Sequence, residues 1–468
     1  MAALPPAQEN AVMRHYRLFP RLGQYDWPNA PGYAARTTYQ SEVSYMKTWL
    51  TTRLAWLDEQ NFTGSVIYRP PTLSAYGGNV NAGAQVTIVP YAGTPPTTFT
   101  YATGTIYYTT NGSDPRGTNG TPAGSVYGGA LTLNTSQVVK ARLYNGGNWS
   151  PITSGTFVVN AAPASAANLV VSEIMYDPPA ATAAEVTAGY STNDFEYIEL
   201  LNVGATAVDL TNVAFTDGVL FNFGTANPTL LTVPVGGRVV LAGDANAFAL
   251  RYGSNPAVKV TGPFSGNLSN GGELVTLVGA SAAVIANFTF GTAEPWPVDA
   301  HGGTGYSLVL NNPAPSLGSA YYNDGANWRS SGTLNGTPGL ANSTPFTGSP
   351  TGDTDGDGVK DFFEYATGSN MNSATSRNLP VTSVAPFTVA AVTQNYLKLD
   401  YRRNLAADGV HYSVQYCSDL ATWVSDPASV TYVGTHNNGD GTATVTYRTT
   451  QPADAAHPRM FLRLSVSP

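Results

Sequence analysis

Short alternating runs separated by Asn-Gly pairs constrain this chain more than any other feature. Asn111-Gly112, Asn119-Gly120 and Asn145-Gly146 stand between runs in which apolar and polar residues alternate. Asn-Gly accepts positive φ at two successive positions, as a two-residue hairpin turn requires. Strands are predicted around these turns at 85–89, 105–109, 130–133 and 138–144. Further strands are predicted at 169–175, 197–202, 238–242, 274–278 and 306–310, and again at 396–401, 410–416, 442–447 and 460–466. The composition fits tight turns between β-strands: 48 Gly, 33 Pro, and more Tyr (27) than Lys plus Arg (22). A hydrophobic share of 42% is too high for a disordered chain, and 468 residues suffice for several separate cores.

One segment breaks the pattern. In residues 38–61 Val43, Met46, Leu50, Leu54 and Leu57 recur at spacings of three and four, flanked by Trp49 and Trp56. That is an amphipathic helix, with Thr37 and Gln40 as its capping box. Its wide apolar face needs a partner that the Pro-, Gly- and Tyr-rich residues before it could hardly supply. It is therefore read as the last helix of a larger domain whose body lies outside this chain. The first residues also lack the continuous apolar core of a signal peptide, so the N-terminus is expected to be incomplete.

The sharpest chemical signal is Asp353 to Glu364, DTDGDGVKDFFE. An EF-hand-type calcium loop places oxygen ligands at positions 1, 3, 5, 7, 9 and 12, with Gly at 6. Those positions hold Asp353, Asp355, Asp357, the Val359 carbonyl, Asp361 and Glu364, with Gly358 at the turn. Five carboxylates in twelve residues repel one another unless a hard dication neutralises them, so the implied cofactor is a structural Ca2+. TPFTGSPTG before the loop cannot form an entering helix, and no second loop exists to pair with it, which argues against a calcium sensor.

The net charge of −8 offers no basic stripe for nucleic acid, and no apolar run is long enough for a membrane-spanning helix. Cys417 has no cysteine partner and is read as a small buried residue. None of the five histidines forms HExxH, and both the P-loop and the G-x-S-x-G elbow are absent. His301-Gly302-Gly303 is read as a loop. No enzyme is expected from this chain, and no catalytic or cofactor-binding residue is assigned.

Several stretches resemble known families. VVSEIMYDPP, DFEYIELLNVGATAVDLTNVAFTDG, VPVGGRVVLAGD, LSNGGELVTL and GTGYSLVL, in that order, resemble a bacterial lamin tail domain, which implies an immunoglobulin-like fold over 167–312. Within it, Glu173, Asp194 and Glu196 are conceivable ligands of a second cation. TIYYTTNGSDPR and NGGNWSP resemble the C-terminal sandwich of chitobiase and β-hexosaminidase enzymes over 70–160, with Tyr107, Tyr108 and Trp149 as a candidate sugar platform. LGQYDWPN and the helix after it resemble the closing segment of CotH-type kinases over 1–68. The nucleotide-binding and catalytic motifs of that family have no counterpart here. The acidic loop resembles dockerin and thrombospondin type 3 repeats.

The expected fold is mainly β: several immunoglobulin-like β-sandwich modules in series, an N-terminal helical remnant and one short calcium-loop helix. Residues 313–352 are expected to be linker, 353–370 the calcium loop with its helix, and 381–468 a C-terminal sandwich. The expected function is a non-catalytic secreted or cell-surface modular protein for adhesion or scaffolding, with a surface glycan or protein as partner. The alternatives are the accessory C-terminal half of a CotH-like kinase and a carbohydrate-binding protein.

Overall fold

The computed structural model describes residue 15 and residues 21–27, 30–59, 66–94, 100–226, 232–253 and 258–468. The chain is mainly β and divides into two compact units. One comprises Met1–Tyr76, Gln85–Leu131 and Val139–Gly155. The other comprises Gly77–Ala84, Thr132–Val138 and Thr156–Pro468. The expected module 70–160 is thus shared between them. Among the described residues, no helix is long and apolar enough to cross a membrane.

In the first unit the strand Thr105–Thr109 lies antiparallel to Gln137–Asn145 and to Ser125–Val126, with Tyr144 opposite Thr105 and Tyr107 opposite Val126. Gly112, Gly120 and Gly146 have positive φ but Asn111, Asn119 and Asn145 do not; the two-residue turn between the paired Asn145 and Asn148 is made by Gly146 and Gly147. The helix is Tyr39–Glu59. Its cap is one residue later than expected: Thr38 and Ser41 exchange bonds, each side-chain oxygen accepting the other's N–H at 3.1 Å. Met46, Trp49, Leu50, Leu54 and Trp56 are exposed, and the Leu57 side chain lies outside the described set.

The second unit is built on a six-stranded sheet ordered Lys259–Thr261, Arg238–Ala242, Tyr197–Asn202, Leu169–Met175, Leu308–Leu310 and Trp328–Ser330. Its companion sheet is ordered Phe221–Asn222, Ala214–Asp217, Leu274–Val278 and Val284–Thr289. Apolar side chains of both sheets share one buried cluster that includes Ile174, Ile198, Leu241, Phe215, Leu277 and Phe288. The two central strands, Leu169–Met175 and Tyr197–Asn202, are buried at every position. Their polar residues Ser172, Glu173, Glu199 and Asn202 are buried along with the apolar ones, so the polar-out alternation is lost.

The linker expected over 313–352 is corrected here. Residues Ser319–Asn323 are helical, and Trp328–Ser330 pairs antiparallel with Leu308–Leu310 as the edge of the six-stranded sheet. Trp328 is 3% exposed, and its indole N–H donates to the Tyr322 carbonyl at 2.9 Å. Phe288 stacks on Tyr322 with ring centroids 4.8 Å apart. Burying these large rings stabilises the sheet edge far more than its short strand could alone.

The C-terminal module carries a sheet ordered Val381–Val389, Val392–Asn404, Thr442–Thr449 and Val430–Asn437, and a pair formed by His411–Cys417 and Phe461–Ser467. Leu399, Tyr401, Val414, Val445 and Leu462 share its core, and Cys417 is 1% exposed. The hairpin between the first two strands turns at Ala390 (φ 48°) and Ala391 (φ 66°). The left-handed region suits Asn and Gly better than Ala. Replacing this pair by Asn-Gly should raise stability by about 1 kcal/mol. A chemical-denaturation midpoint that does not rise would contradict the turn.

Candidate metal centre and the buried carboxylates

The acidic loop is wound by its own carboxylates. Gly356 (φ 74°) and Gly358 (φ 86°) make the turns. Asp353 Oδ1 accepts the Gly356 N–H at 2.9 Å, and its Oδ2 accepts the Gly358 N–H at 3.0 Å. Asp355 Oδ1 accepts from the Asp357 N–H at 3.2 Å, and Asp357 Oδ1 from the Val359 N–H at 2.7 Å. Each of Asp353, Asp355 and Asp357 thereby offers one oxygen within 4.8 Å of the others. Arg377 holds the loop from outside: its Nε donates to Asp357 Oδ2 at 2.6 Å and its Nη2 to the Asp357 carbonyl at 2.7 Å.

The remaining carboxylates take different roles. Asp361 opens the helix Asp361–Thr367 and fastens the loop to it, its two oxygens accepting the Thr354 N–H and hydroxyl, each at 2.7 Å. Glu364 is 0% exposed, yet neither of its oxygens has a hydrogen-bond partner, and one oxygen of Asp355 is in the same state. Burial pushes the Glu364 carboxyl above its ordinary range, and the charges of Asp355, Asp357, Asp361 and Asp353 add to the effect. A buried carboxylate with no donor is costly. A hard dication satisfies it and relieves the repulsion, so this donor set of carboxylate oxygens fits Ca2+.

Of the residues expected to bind the ion, the structure groups Asp353, Asp355 and Asp357, and adds Glu364 as an unsatisfied acceptor. Asp361 is engaged with Thr354, so an ion at position 9 would be reached through water, as that position often is.

Four glutamates of the lamin-tail-like region, Glu173, Glu185, Glu196 and Glu199, are buried. Glu173 Oε1 accepts from Tyr197 Oη (2.5 Å), Ser307 Oγ (2.6 Å) and the Thr337 N–H (3.0 Å), and Oε2 from Asn342 Nδ2 (2.9 Å) and Thr337 Oγ1 (3.3 Å). Glu199 accepts from Ser172 Oγ (2.6 Å), Arg238 Nε (3.1 Å) and the Gly339 N–H (2.6 Å). Residues 337–342, expected to be linker, are therefore a latch closed over two buried carboxylates. The conceivable second cation site does not assemble. Glu173 is taken up by this latch, Asp194 accepts from Ser191, Glu196 Oε2 accepts from the Leu268 N–H, and the three do not converge.

These groups set a pH dependence. Burial raises the Glu196 carboxyl from 4.5 to about 8, with Glu273, Asp194 and Asp177 adding and the Leu268 N–H opposing. Burial and then the Glu173 charge raise Glu199 despite Arg238. A carboxyl raised in the folded state binds its proton more tightly there than in the unfolded chain. Its stabilisation is full below the unfolded value and fades as pH rises toward about 8. Glu185 runs the other way: Arg251 holds it down to about 2, so its contribution is lost as pH falls below 4.5. Unfolding midpoints should decline from pH ~5 to ~8, and Glu196→Gln should flatten the decline. A midpoint constant over that range would contradict the assignment.

The aromatic platform is redrawn as well. Trp149 sits 4.6 Å from Tyr144 and 5.8 Å from Tyr107 between ring centroids, with its N–H donating to the Gly120 carbonyl. Tyr108, the next residue on the strand, faces the other side and meets Tyr127. The His301 turn is tied down by Asp177, whose Oδ2 accepts the Gly302 N–H at 2.6 Å.

With this geometry in place, comparison with known families gives two matches. Residues 162–292 match the Lamin Tail Domain family, and residues 97–157 match the Fn3 associated family. No curated protein matches the chain. The chain is a multidomain β protein that includes a lamin-tail-like immunoglobulin fold and an Fn3-associated region. The six-stranded sheet runs past the matched residues to Ser330.

Proposed function

We propose that this is a non-catalytic modular protein of the cell surface or secreted space, acting in adhesion or scaffolding, in which one structural Ca2+ stiffens the segment joining two β modules. The observation that carries this reading is Glu364, wholly buried, without a hydrogen-bond partner and close to the charges of four other carboxylates. Asp353, Asp355, Asp357, Glu364 and the Val359 carbonyl would hold the ion. The single loop and the lack of an entering helix favour a clamp like that of dockerin or thrombospondin type 3 repeats over a sensor. The helix Asp361–Thr367 supports a stiffening role: Phe362 and Ala366 pack with Ala407 and Val410 of the C-terminal module.

Limited proteolysis of the whole chain tests the clamp. Cleavage between residues 345 and 380 should slow markedly in millimolar calcium relative to chelator, and equal rates would overturn it. Incubation with ATP should give no phosphate transfer. A second reading, the accessory part of a CotH-like kinase, has one observation in its favour. The helix Tyr39–Glu59 exposes Met46, Trp49, Leu50, Leu54 and Trp56, the face that the closing helix of a larger domain would bury.

A further inference from the structure

A cleft of about 490 Å³ opens where the lamin-tail-like sheets meet the C-terminal module. Its walls are fixed by bonds between the two modules. Arg329 Nε donates to Asp408 Oδ1 at 3.0 Å with both side chains buried, and Asn437 Nδ2 donates to Ser330 Oγ and to the Ser331 carbonyl, each at 2.9 Å. The volume falls within the ~300–1,000 Å³ usual for small-ligand sites.

The lining has three chemical parts. Tyr401, Tyr412, Tyr432 and Tyr447 supply aromatic surface, with Tyr401 stacked on Tyr412 at 5.7 Å and Tyr432 edge-on to Tyr447 at 5.5 Å. Arg403 stands beside Tyr412, 5.5 Å from its ring centre. The buried Nε of Arg403 has no partner, its Nη2 meets Asn311 Oδ1 at a long 3.5 Å, and the guanidinium also bonds the Tyr412 side chain. The nearby carboxylate of Asp408 is committed to Arg329, whose own pKa is lowered by burial and by the charge of Arg403. On the lamin-tail side Glu294 and Asp299 face the cleft, with Glu294 Oε2 accepting from the Tyr432 hydroxyl and Asp299 Oδ2 from the Asn437 N–H.

Each part selects a feature of the ligand. A guanidinium held only by long or neutral contacts is shaped for a carboxylate. Aromatic faces accept the C–H face of a sugar ring. Carboxylate acceptors across the cleft suit hydroxyl donors. A neutral sugar leaves Arg403 without an ion-pair partner, and a simple organic acid leaves the acceptors unused. We propose that this cleft binds a uronic-acid saccharide, its carboxylate on Arg403, its ring on the tyrosines and its hydroxyls toward Glu294 and Asp299.

The test is calorimetry on the whole chain in calcium, with trigalacturonate, a hyaluronan tetrasaccharide and the neutral maltotriose as probes. At least one uronate probe should give saturable heat and maltotriose none. Arg403→Met should weaken uronate binding by at least ~10-fold, since it removes a charge-assisted bidentate contact. Tyr432→Ala, at an exposed position that leaves the core intact, should also weaken it. If Arg403→Met fails to fold, Arg403→Lys carries the same expectation. No heat from either uronate, equal binding of maltotriose, or unchanged affinity in the folded variants would overturn the proposal.

Discussion

Glu173→Ala should lower the stability of the lamin-tail-like module by about 3–5 kcal/mol, the scale for breaking a buried, hydrogen-bonded carboxylate network. Five bonds converge on this side chain, and three of them come from Thr337 and Asn342 in the latch. Truncation leaves the Ser307 hydroxyl without its acceptor and the Tyr197 hydroxyl with only the weaker Asn335 carbonyl, inside a sheet buried on both faces. It also frees the latch that covers them. Glu173→Gln keeps one acceptor oxygen but turns an amide donor toward other donors, so it should cost less than the alanine variant and more than Thr337→Val. Gly336→Val attacks the same latch from the other side. Gly336 has φ 72°, and a Cβ there would overlap the Tyr197 hydroxyl and Glu173 Oε1. Trp328, close under the sheet edge, gives a fluorescence signal for the denaturant midpoint. A loss below about 1 kcal/mol for Glu173→Ala would mean that the latch holds nothing.

The second large effect is set by calcium, and its sign changes with the metal. At about a hundred times its Kd, a ligand that binds only the folded state adds about 2.7 kcal/mol. In calcium, Glu364→Gln should lose most of that gain, because the proposed charged ligand to the ion is replaced by a neutral one. In chelator the same substitution should be neutral or stabilising, since it removes a buried carboxylate that has no donor and sits among four like charges. The stability curves of native and variant protein should therefore cross between chelator and calcium. A merely structural glutamate would shift both curves the same way. Asp361→Asn should behave differently, costing stability in both conditions because Asp361 fastens the loop through Thr354.

Much of the fold is legible in the sequence where local pattern and burial agree. The strands Leu169–Met175, Tyr197–Asn202, Arg238–Ala242 and Leu274–Val278 run where their apolar residues place them. The segment 313–352 is misread because its composition is that of a loop. Its order comes from the packing of Tyr322 and Trp328 and, over 337–342, from bonds to Glu173 and Glu199 more than a hundred residues earlier in the chain, which no local window encodes. The hairpin at Ala390-Ala391 lacks the Asn-Gly signal that reveals the others. The acidic spacing of the metal loop stands out in sequence, but the division of labour within it does not. Which carboxylate fastens the loop and which waits unpaired depends on Thr354 and on the packing of one short helix. The cleft around Arg403 is invisible to sequence, because its parts lie in strands and loops of two modules joined only by tertiary contacts.

The central claim is that Asp353–Glu364 holds one calcium ion between two β modules. Isothermal titration of the whole chain with calcium measures it directly. A single saturable site with Kd on the order of 10⁻⁴ to 10⁻³ M is expected, as in extracellular modules, and it should be lost in Glu364→Gln. No heat at millimolar calcium, or the same heat in that variant, would contradict it.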